Sequence, residues 1–535
     1  MDSQTQAPRP GKSNLIFVLI YLLFMVKGLA MIEVLPLWEG FDEWLHYSYV
    51  AYFSRTGKIP ALQDPSVPRE VADSLKLTPT GSSSSGTMTF KNFWELTAEE
   101  RDITVSALNS LVNEPGSPFV QTSWQAQHPP LYYVLLSPAY KFLTGKSLSK
   151  SLWVFRFLSL CIVSLGLIPA RLIFRRFFDE ETALAGLLMF AVYPSTFILF
   201  GHMTNDTLAF PLFMLLIAWA LRAEKNETAF GFWILGGILF GLGLLTKLYI
   251  LTSLPAILFI AALKFFRDRT PRAKILTSLA VFMGISLLIS GPWFILNCHR
   301  YGTWNPTVHA VLSKDMGIVQ SARQALLVDW KSFAVSNVIG LLWAGNWSFV
   351  AFPPWIYKTF GFFLIGITLA LLSALRRLRA GSDLGAVSTL IFLCGSFLLA
   401  LLQHQVQIRS AGNMDPTGAW YWAVLLPVLI CLFMLALSMH IKRHFLLLLA
   451  AALGLEVLSV WGVAGFLLPY YAGILDTSFL AGHFLHSFPL SESLQRLTFL
   501  NFCPISFPVL WTAETLLWIA ILGGLLSIRR RSIDL

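Results

Sequence analysis

The chain has 535 residues, 56% of them hydrophobic and 14% aromatic, with only 13% charged and a mean hydropathy of +0.65. A soluble protein of this length cannot hide so much apolar surface, so the composition excludes a soluble globular class and implies an all-α polytopic membrane protein. The net charge of +10 calls for no nucleic-acid partner, because Lys and Arg collect in the cytoplasmic loops of membrane proteins.

From the amino end, "MDSQTQAPRPGKSN" precedes an apolar run over 15–36. The run is too long for a signal-peptide core and lacks a small-residue cleavage site, so an uncleaved signal-anchor helix is expected. "EGFDEWLHYSYVAYFSRTGKIP" (39–60) then opens a long outer loop, 37–151. In that loop "TPTGSSSSGTMT" is low-complexity. "HPPLYYVLLSPAYKFLTG" (128–145) is short and proline-rich, which predicts a helix lying at the membrane interface. Further spans are expected over 152–174, 183–202, 208–221, 275–296, 356–375, 386–402, 421–439, 446–468 and 508–528. The stretch 230–266 would measure roughly 55 Å as one helix, nearly twice the hydrocarbon thickness. Two short helices turning near Lys247 fit it better.

This gives about 12 transmembrane helices. The basic segments "RLIFRRFF", "RAEK", "KFFRDRTPRAK", "RRLRAG", "HIKRH" and "RRRS" then all fall on the side of the amino terminus. By the positive-inside rule both termini are cytoplasmic and 39–60 faces outward. Other outer segments are 297–355, 403–420 and 469–507. Residues 1–296 read as a transmembrane core with the first outer loop, and 297–535 as a C-terminal transmembrane region. No internal repeat and no soluble catalytic domain stands out, so any chemistry must be built from outer loops and helix ends. Cys161, Cys394 and Cys431 lie in apolar runs and read as small hydrophobes. Cys298 and Cys503 fall in polar loops, where a disulfide between them is an open alternative, and no cysteine spacing signals a metal.

Chemistry-bearing side chains gather on the outer face. If "DEWLHYSYVAYF" is helical, Asp42 and His46 form an i,i+4 pair, with Glu43 beside them. The bland reading makes Asp42 or Glu43 an anion at a helix N-terminus. Against it, a carboxylate at the hydrocarbon edge is costly and usually faces a cavity or a partner. "QAQHPPLYY" places His128 before a stiff Pro-Pro, and "HMTNDTLAF" places Asn205 and Asp206 between two spans. Lys247 sits at the next outer turn, "NCHRYG" supplies His299 and Arg300, and "QHQVQIRSAGNMDP" adds His404, Arg409 and Asp415. Singly these residues have structural readings: an interfacial anchor for His128, a helix cap for Asp206, snorkelling for Lys247 and Arg300. Trp124, Trp347 and Trp420 read as part of an interfacial aromatic belt. A carboxylate beside cationic groups suits attack by a hydroxyl or amine on a carbon whose leaving group is a phosphate. The carboxylate takes the proton and the cations neutralise the departing charge. A phosphate leaves readily without a second acid, unlike the leaving group of a glycoside hydrolase.

Four motifs occur in order: "DE" after the first span, "HPPLYY" before the second, "TND" between the third and fourth, and "GLLTK" followed by Pro255. Over about residues 15–265 the chain resembles the GT-C membrane glycosyltransferases, in the branch related to the lipid A aminoarabinose transferase and the protein mannosyltransferases. The resemblance implies a polyprenyl-phosphate-sugar donor, inversion at the anomeric carbon and an active site on the periplasmic face of a bacterial inner membrane. It maps the catalytic base onto Asp42, with Glu43 beside it, and a basic phosphate-side group onto His128; His46, Lys247, Arg300 and Arg409 are read from the outer-face cluster itself as further donor-phosphate candidates. Asn205, Asp206 and His299 would form an acceptor-side or structural polar cluster. Relatives often carry "GRY" in a late motif where this chain reads "GAWYWAVLLP", so Arg300 or Arg409 would have to replace that arginine. No cofactor or metal is indicated, and neither the sugar nor the acceptor (glycan, lipid or protein) is specified. Two alternatives stay open: a secondary transporter or lipid flippase of 12 spans, whose hallmark would be repeats around a midplane site, and a non-catalytic partner sharing the scaffold.

Overall fold

In a computed structural model of the chain the described residues are 10–81, 86–224, 229–267, 271–377, 382–414, 416, 418–475 and 490–534. Asp415, part of the low-complexity stretch and residues 476–489 of the segment 469–507 lie outside them. Among the described residues ten helices are long and apolar enough to cross a membrane. They become eleven if Ile318–Leu326 and Trp330–Leu342, bent by 74°, count as one span. The chain is an integral membrane protein built almost wholly of helices. Among the described residues its only sheet is a ribbon, β1 (Pro65–Pro68) antiparallel to β2 (Phe119–Thr122), with Pro65 opposite Thr122 and Pro68 opposite Phe119.

The first span, α1 (Pro10–Val34), shows how the bundle is made. Ile16, Ile20, Leu23 and Phe24 are buried against neighbouring helices, whereas Leu15, Val18 and Leu22 face outward. Apolar on both sides is what a helix between protein and lipid requires. The run expected as one span over 183–202 is instead two helices, Glu180–Val192 and Pro194–Phe200. Pro194 has no N–H to donate, and Tyr193 before it is forced to an extended ψ of 131°. The stretch 230–266 divides into Phe230–Leu244, a 3-10 turn at Leu248–Ser253 and Leu254–Arg267, with the break at Lys247, whose backbone is extended. The segment 297–355, expected as a loop, contains the bent helical pair, and Ile318, Val319 and Leu326 on its first helix are exposed. Among the described residues all five cysteines are free.

A large apolar core runs through the bundle. A second, aromatic one lies beneath the first long loop, where Trp38, Trp44, Tyr47, Tyr49, Tyr132, Tyr133 and Phe155 pack together. The loop helix α2 (Glu43–Thr56) rests on this floor beside Leu131–Phe142, the helix expected at the interface. Tyr49 and Tyr133 stack face to face across that contact, 3.7 Å between centroids.

Inside the spans, the Lys27 ammonium of α1 bonds Glu456 and Glu514, each at 2.8 Å, joining α1 to His444–Gly462 and Phe507–Asp534. All three side chains are buried. Ionisable groups at this depth are tolerated when paired.

Candidate active site

The turn from α1 into α2 carries the acidic pair, and one arginine organises it. Arg156, from the helix Leu148–Ser164, donates to the Leu35 carbonyl at 2.6 Å and the Pro36 carbonyl at 2.7 Å. Both carbonyls lie just past the end of α1, and that of Pro36 also accepts from the Glu39 amide at 3.3 Å. The same guanidinium grips Glu43 in a fork, Nε to Oε1 at 2.9 Å and Nη2 to Oε2 at 2.6 Å. The Met203 amide adds a third bond to Oε1 at 2.9 Å. Burial pushes the Glu43 carboxyl up, but the Arg156 charge and hydrogen bonds outweigh it and hold the pKa below the usual range. Glu43 is thus fully buried, ionised and engaged.

Asp42, one residue earlier, is left half-buried at the edge of the same turn. It caps α2 from the left-handed region, φ 55° and ψ 19°. For a residue with a side chain this costs on the order of 1–3 kcal/mol, and it persists where surrounding bonds over-determine it. The Arg156 bonds on either side of the turn do so. Trp124 Nε1 donates to Asp42 Oδ1 at 3.2 Å and Gln125 Nε2 to Oδ2 at 2.8 Å. Burial nevertheless pushes Asp42 up to about 6, opposed by the Trp124 bond, the Lys247 charge and the Gln125 bond. A carboxylate of that basicity, still ionised at neutral pH, suits general-base work.

A polar row faces it. Lys247 Nζ bonds Asn205 Oδ1 at 2.8 Å and Asp206 Oδ2 at 2.9 Å, and the Tyr249 hydroxyl donates to Asp206 Oδ1 at 2.8 Å. An ammonium has three protons, so one of them is left for a ligand. His46 Nδ1 lies 2.9 Å from the Tyr133 hydroxyl, and the His46 ring lies nearly parallel to that of His128 at 6.1 Å. Burial, and then the Lys247 charge, lower both imidazoles well below the usual histidine range. They are neutral at neutral pH and offer hydrogen bonds rather than charge. Behind Glu43 the fully buried His202 is likewise pushed down, to about 4, mainly by burial. An aromatic wall stands beside Asp42, where Phe41 stacks on Trp420 at 4.5 Å and meets Trp347 edge-on at 5.3 Å.

Asp42, Glu43, His46, His128, Asn205, Asp206 and Lys247 therefore come together. Three other candidates do not join them by any hydrogen bond or ion pair among the described residues. Arg300 donates to the Pro60 and Ile59 carbonyls, each at 3.1 Å, and so holds the chain after α2. His299 is exposed on the last turn of Arg272–Tyr301. Arg409 lies on the last turn of Ser382–Ser410, its Nε buried without a partner among the described residues. Trp124, Gln125, Arg156 and Tyr133 belong to the site although the sequence did not mark them. The available signals were an arginine inside the apolar run 152–174 and two polar side chains just before "HPP". Among the described residues no three His, Cys, Asp or Glu side chains gather as a metal ion would need.

Residues 127–291 match the family model described as dolichyl-phosphate-mannose-protein mannosyltransferase. No curated protein matches the chain. Among solved structures it is similar to ArnT from Cupriavidus metallidurans bound to undecaprenyl phosphate, at 15% identity and TM-score 0.46, over 96% of this chain and 75% of that one. It is also similar to the archaeal oligosaccharyltransferase AglB from Archaeoglobus fulgidus, in complex with an inhibitory peptide and a dolichol-phosphate. There the identity is 13% and the TM-score 0.44, over 83% of this chain and 55% of AglB. At these scores neither structure assigns a role to any residue. The sequence match covers His128, Asn205, Asp206 and Lys247, and through that segment this integral membrane protein is similar to the dolichyl-phosphate-mannose-protein mannosyltransferase family.

Proposed function

We propose that the protein is a membrane glycosyltransferase that moves a sugar from a polyprenyl-phosphate donor to an acceptor on the outer face of the membrane, with inversion, and that Asp42 is its general base. The observation that carries this reading is the Asp42 carboxylate itself. It is half-buried, oriented by two donors, raised to about 6 by burial, and under the influence of the Lys247 ammonium. The acceptor hydroxyl or amine attacks the anomeric carbon while Asp42 takes its proton. The bond from that carbon to the phosphate oxygen breaks from the opposite side, and the lipid phosphate leaves with the electron pair. Lys247, with one proton free of Asn205 and Asp206, stabilises the oxygen on which charge grows. His46 and His128 act as neutral donors to the same phosphate. Arg409, whose Nε has no partner among the described residues, is a further cation that a donor lipid could engage. Glu43 we assign to holding Asp42 in place, because its oxygens are already committed to Arg156 and Met203.

Two further features support the reading. The family match is to enzymes named for a lipid-phosphate sugar donor, and ArnT was solved with undecaprenyl phosphate. The transporter alternative rests on the span layout; the intramembrane Lys27–Glu456–Glu514 cluster lends it no support, because there both carboxylates bond one ammonium and tie helices together. The test is label transfer in membranes. Radiolabelled polyprenyl-phosphate sugars are offered to wild type and Asp42→Asn with a cell-envelope extract as acceptor. Label should leave the lipid pool at a rate that falls about 100-fold or more in the variant. Equal rates in the two proteins would remove Asp42 from the chemistry.

A further inference from the structure

Gln125 contains an unmet hydrogen bond beside the base. Its backbone is fixed by a short 3-10 turn, Trp124–Gln127, in which the Ser123 hydroxyl accepts from the Gln125 amide at 3.1 Å and the Gln125 carbonyl accepts from His128 N at 3.0 Å. The side chain is 2% exposed. Its Nε2 donates to Asp42 Oδ2 at 2.8 Å. This fixes which way round the carboxamide stands, because a carboxylate only accepts and an amide oxygen turned towards it would be repelled. Among the described residues the amide oxygen Oε1 is then buried with no partner. A buried acceptor left empty costs on the order of 1–3 kcal/mol, and native proteins rarely tolerate one without a use for it. A donor from outside the described side chains would meet it, a water at rest or a substrate hydroxyl during the working cycle. Because the amide nitrogen is on Asp42, that donor must sit next to the group whose proton Asp42 removes. A sugar or an acceptor arriving there brings hydroxyls.

We infer that Gln125 is a substrate-binding residue whose amide oxygen accepts a hydrogen bond from a substrate hydroxyl adjacent to the nucleophile, while its amide nitrogen orients Asp42. The inference rests on the glycosyltransferase reading and extends it. One side chain reads the substrate and aims the base, so loading the correct hydroxyl and setting the carboxylate are the same event. A site built to receive a hydroxyl rejects analogues that lack it, because its buried oxygen is then left unpaired.

The experiment uses the full-length protein in membranes and the polyprenyl-phosphate sugar that wild type consumes, offered intact and as its monodeoxy analogues. The acceptor is varied in the same way. Wild type is compared with Gln125→Met, which keeps the length but neither donates nor accepts. For one analogue, wild type should lose roughly 10-fold or more in kcat/KM, while Gln125→Met processes the intact and deoxy substrates alike. Cancellation on a donor analogue makes the partner a sugar hydroxyl, and cancellation on an acceptor analogue makes it an acceptor hydroxyl. If Gln125→Met slows every analogue by the same factor, the side chain only positions Asp42 and the inference falls. If Gln125→Met does not insert, Gln125→Asn, which keeps the amide but withdraws it by one methylene, is read for the same pattern. Wild type that consumes no polyprenyl-phosphate sugar with any acceptor overturns the glycosyltransferase reading itself, an outcome separate from loss of the cancellation.

Discussion

Arg156 and Glu43 form a buried, two-pronged ion pair, 2.9 Å from Nε to Oε1 and 2.6 Å from Nη2 to Oε2, across 113 residues of sequence. The guanidinium also binds the Leu35 and Pro36 carbonyls at the end of α1, so one side chain holds both ends of the turn that presents Asp42. Removing one partner leaves the other charge buried and uncompensated. Arg156→Met or Glu43→Gln is therefore expected to destabilise the protein by about 3–5 kcal/mol. Combining the two should recover part of that stability but not the label-transfer rate, since Asp42 would no longer be held. Thermal melts in detergent, read beside transfer rates, check both halves.

The raised pKa of Asp42 has two consequences of opposite sign. Its folded value of about 6 lies above the 3.8 of a free aspartate. The folded state therefore binds the proton more tightly than the unfolded one, and the stability linked to this group is present below pH 4 and lost as pH rises through 6. Asp42→Asn should accordingly melt higher than wild type at pH 7–8 and the same as wild type near pH 4. Asn also tolerates the left-handed backbone at this position. Transfer activity should run the other way, rising with pH through about 6 as the base ionises. Melting curves and initial rates across that range test the two together.

Gly40 lies two residues before Asp42, and a Cβ there would meet His202 Cβ at 2.5 Å. The His202 ring is fully buried and cannot swing aside. Gly40→Ala is expected to cost about 1–3 kcal/mol through overpacking and to slow transfer more than a comparable substitution on the lipid-facing side of α1. Leu15→Ala, on an exposed face, is the control for both readings.

Within the spans, Lys27→Met strands Glu456 and Glu514 without their shared ammonium. A loss of about 3–5 kcal/mol is expected, visible as a lower melting temperature and reduced membrane yield. Replacing both glutamates with Gln in the Lys27→Met background should restore much of it. If Lys27→Met alone melts like wild type, the three-helix tie is not a stabilising contact.

Lys247→Met removes the ammonium next to Asp42 and leaves Asp206 with the Tyr249 and Thr204 hydroxyls. Transfer should fall by about 100-fold or more, as for loss of a transition-state donor. Lys247→Arg should restore only part of the rate, because a planar fork does not fit where a compact point charge bonds Asn205 and Asp206 together. Parallel transfer assays on the two variants settle this.

Much was determined by the sequence alone. Apolar runs of span length reported the helices, because a bilayer demands about 20 such residues whatever they pack against. The break at Lys247 was readable for the same reason, since no single helix of that length fits the membrane. Asp42, His128, Asp206 and Lys247 were visible because polar groups at span ends are rare and costly. What the tertiary structure decided is which of them are occupied. Glu43 and Asp42 look alike in "DEWLH", yet Arg156 claims one and leaves the other half-buried at the edge of the turn. Lys27, Glu456 and Glu514 each vanish into the mean hydropathy of an apolar run, and their pairing across three helices depends on packing. The same holds for Gln125, from which Gln127 cannot be told apart on paper. Hydrogen-bond partners chosen across 80 or more positions of sequence, 83 for Asp42 and Gln125, follow from the way the helices pack. Local pattern has no term for that choice.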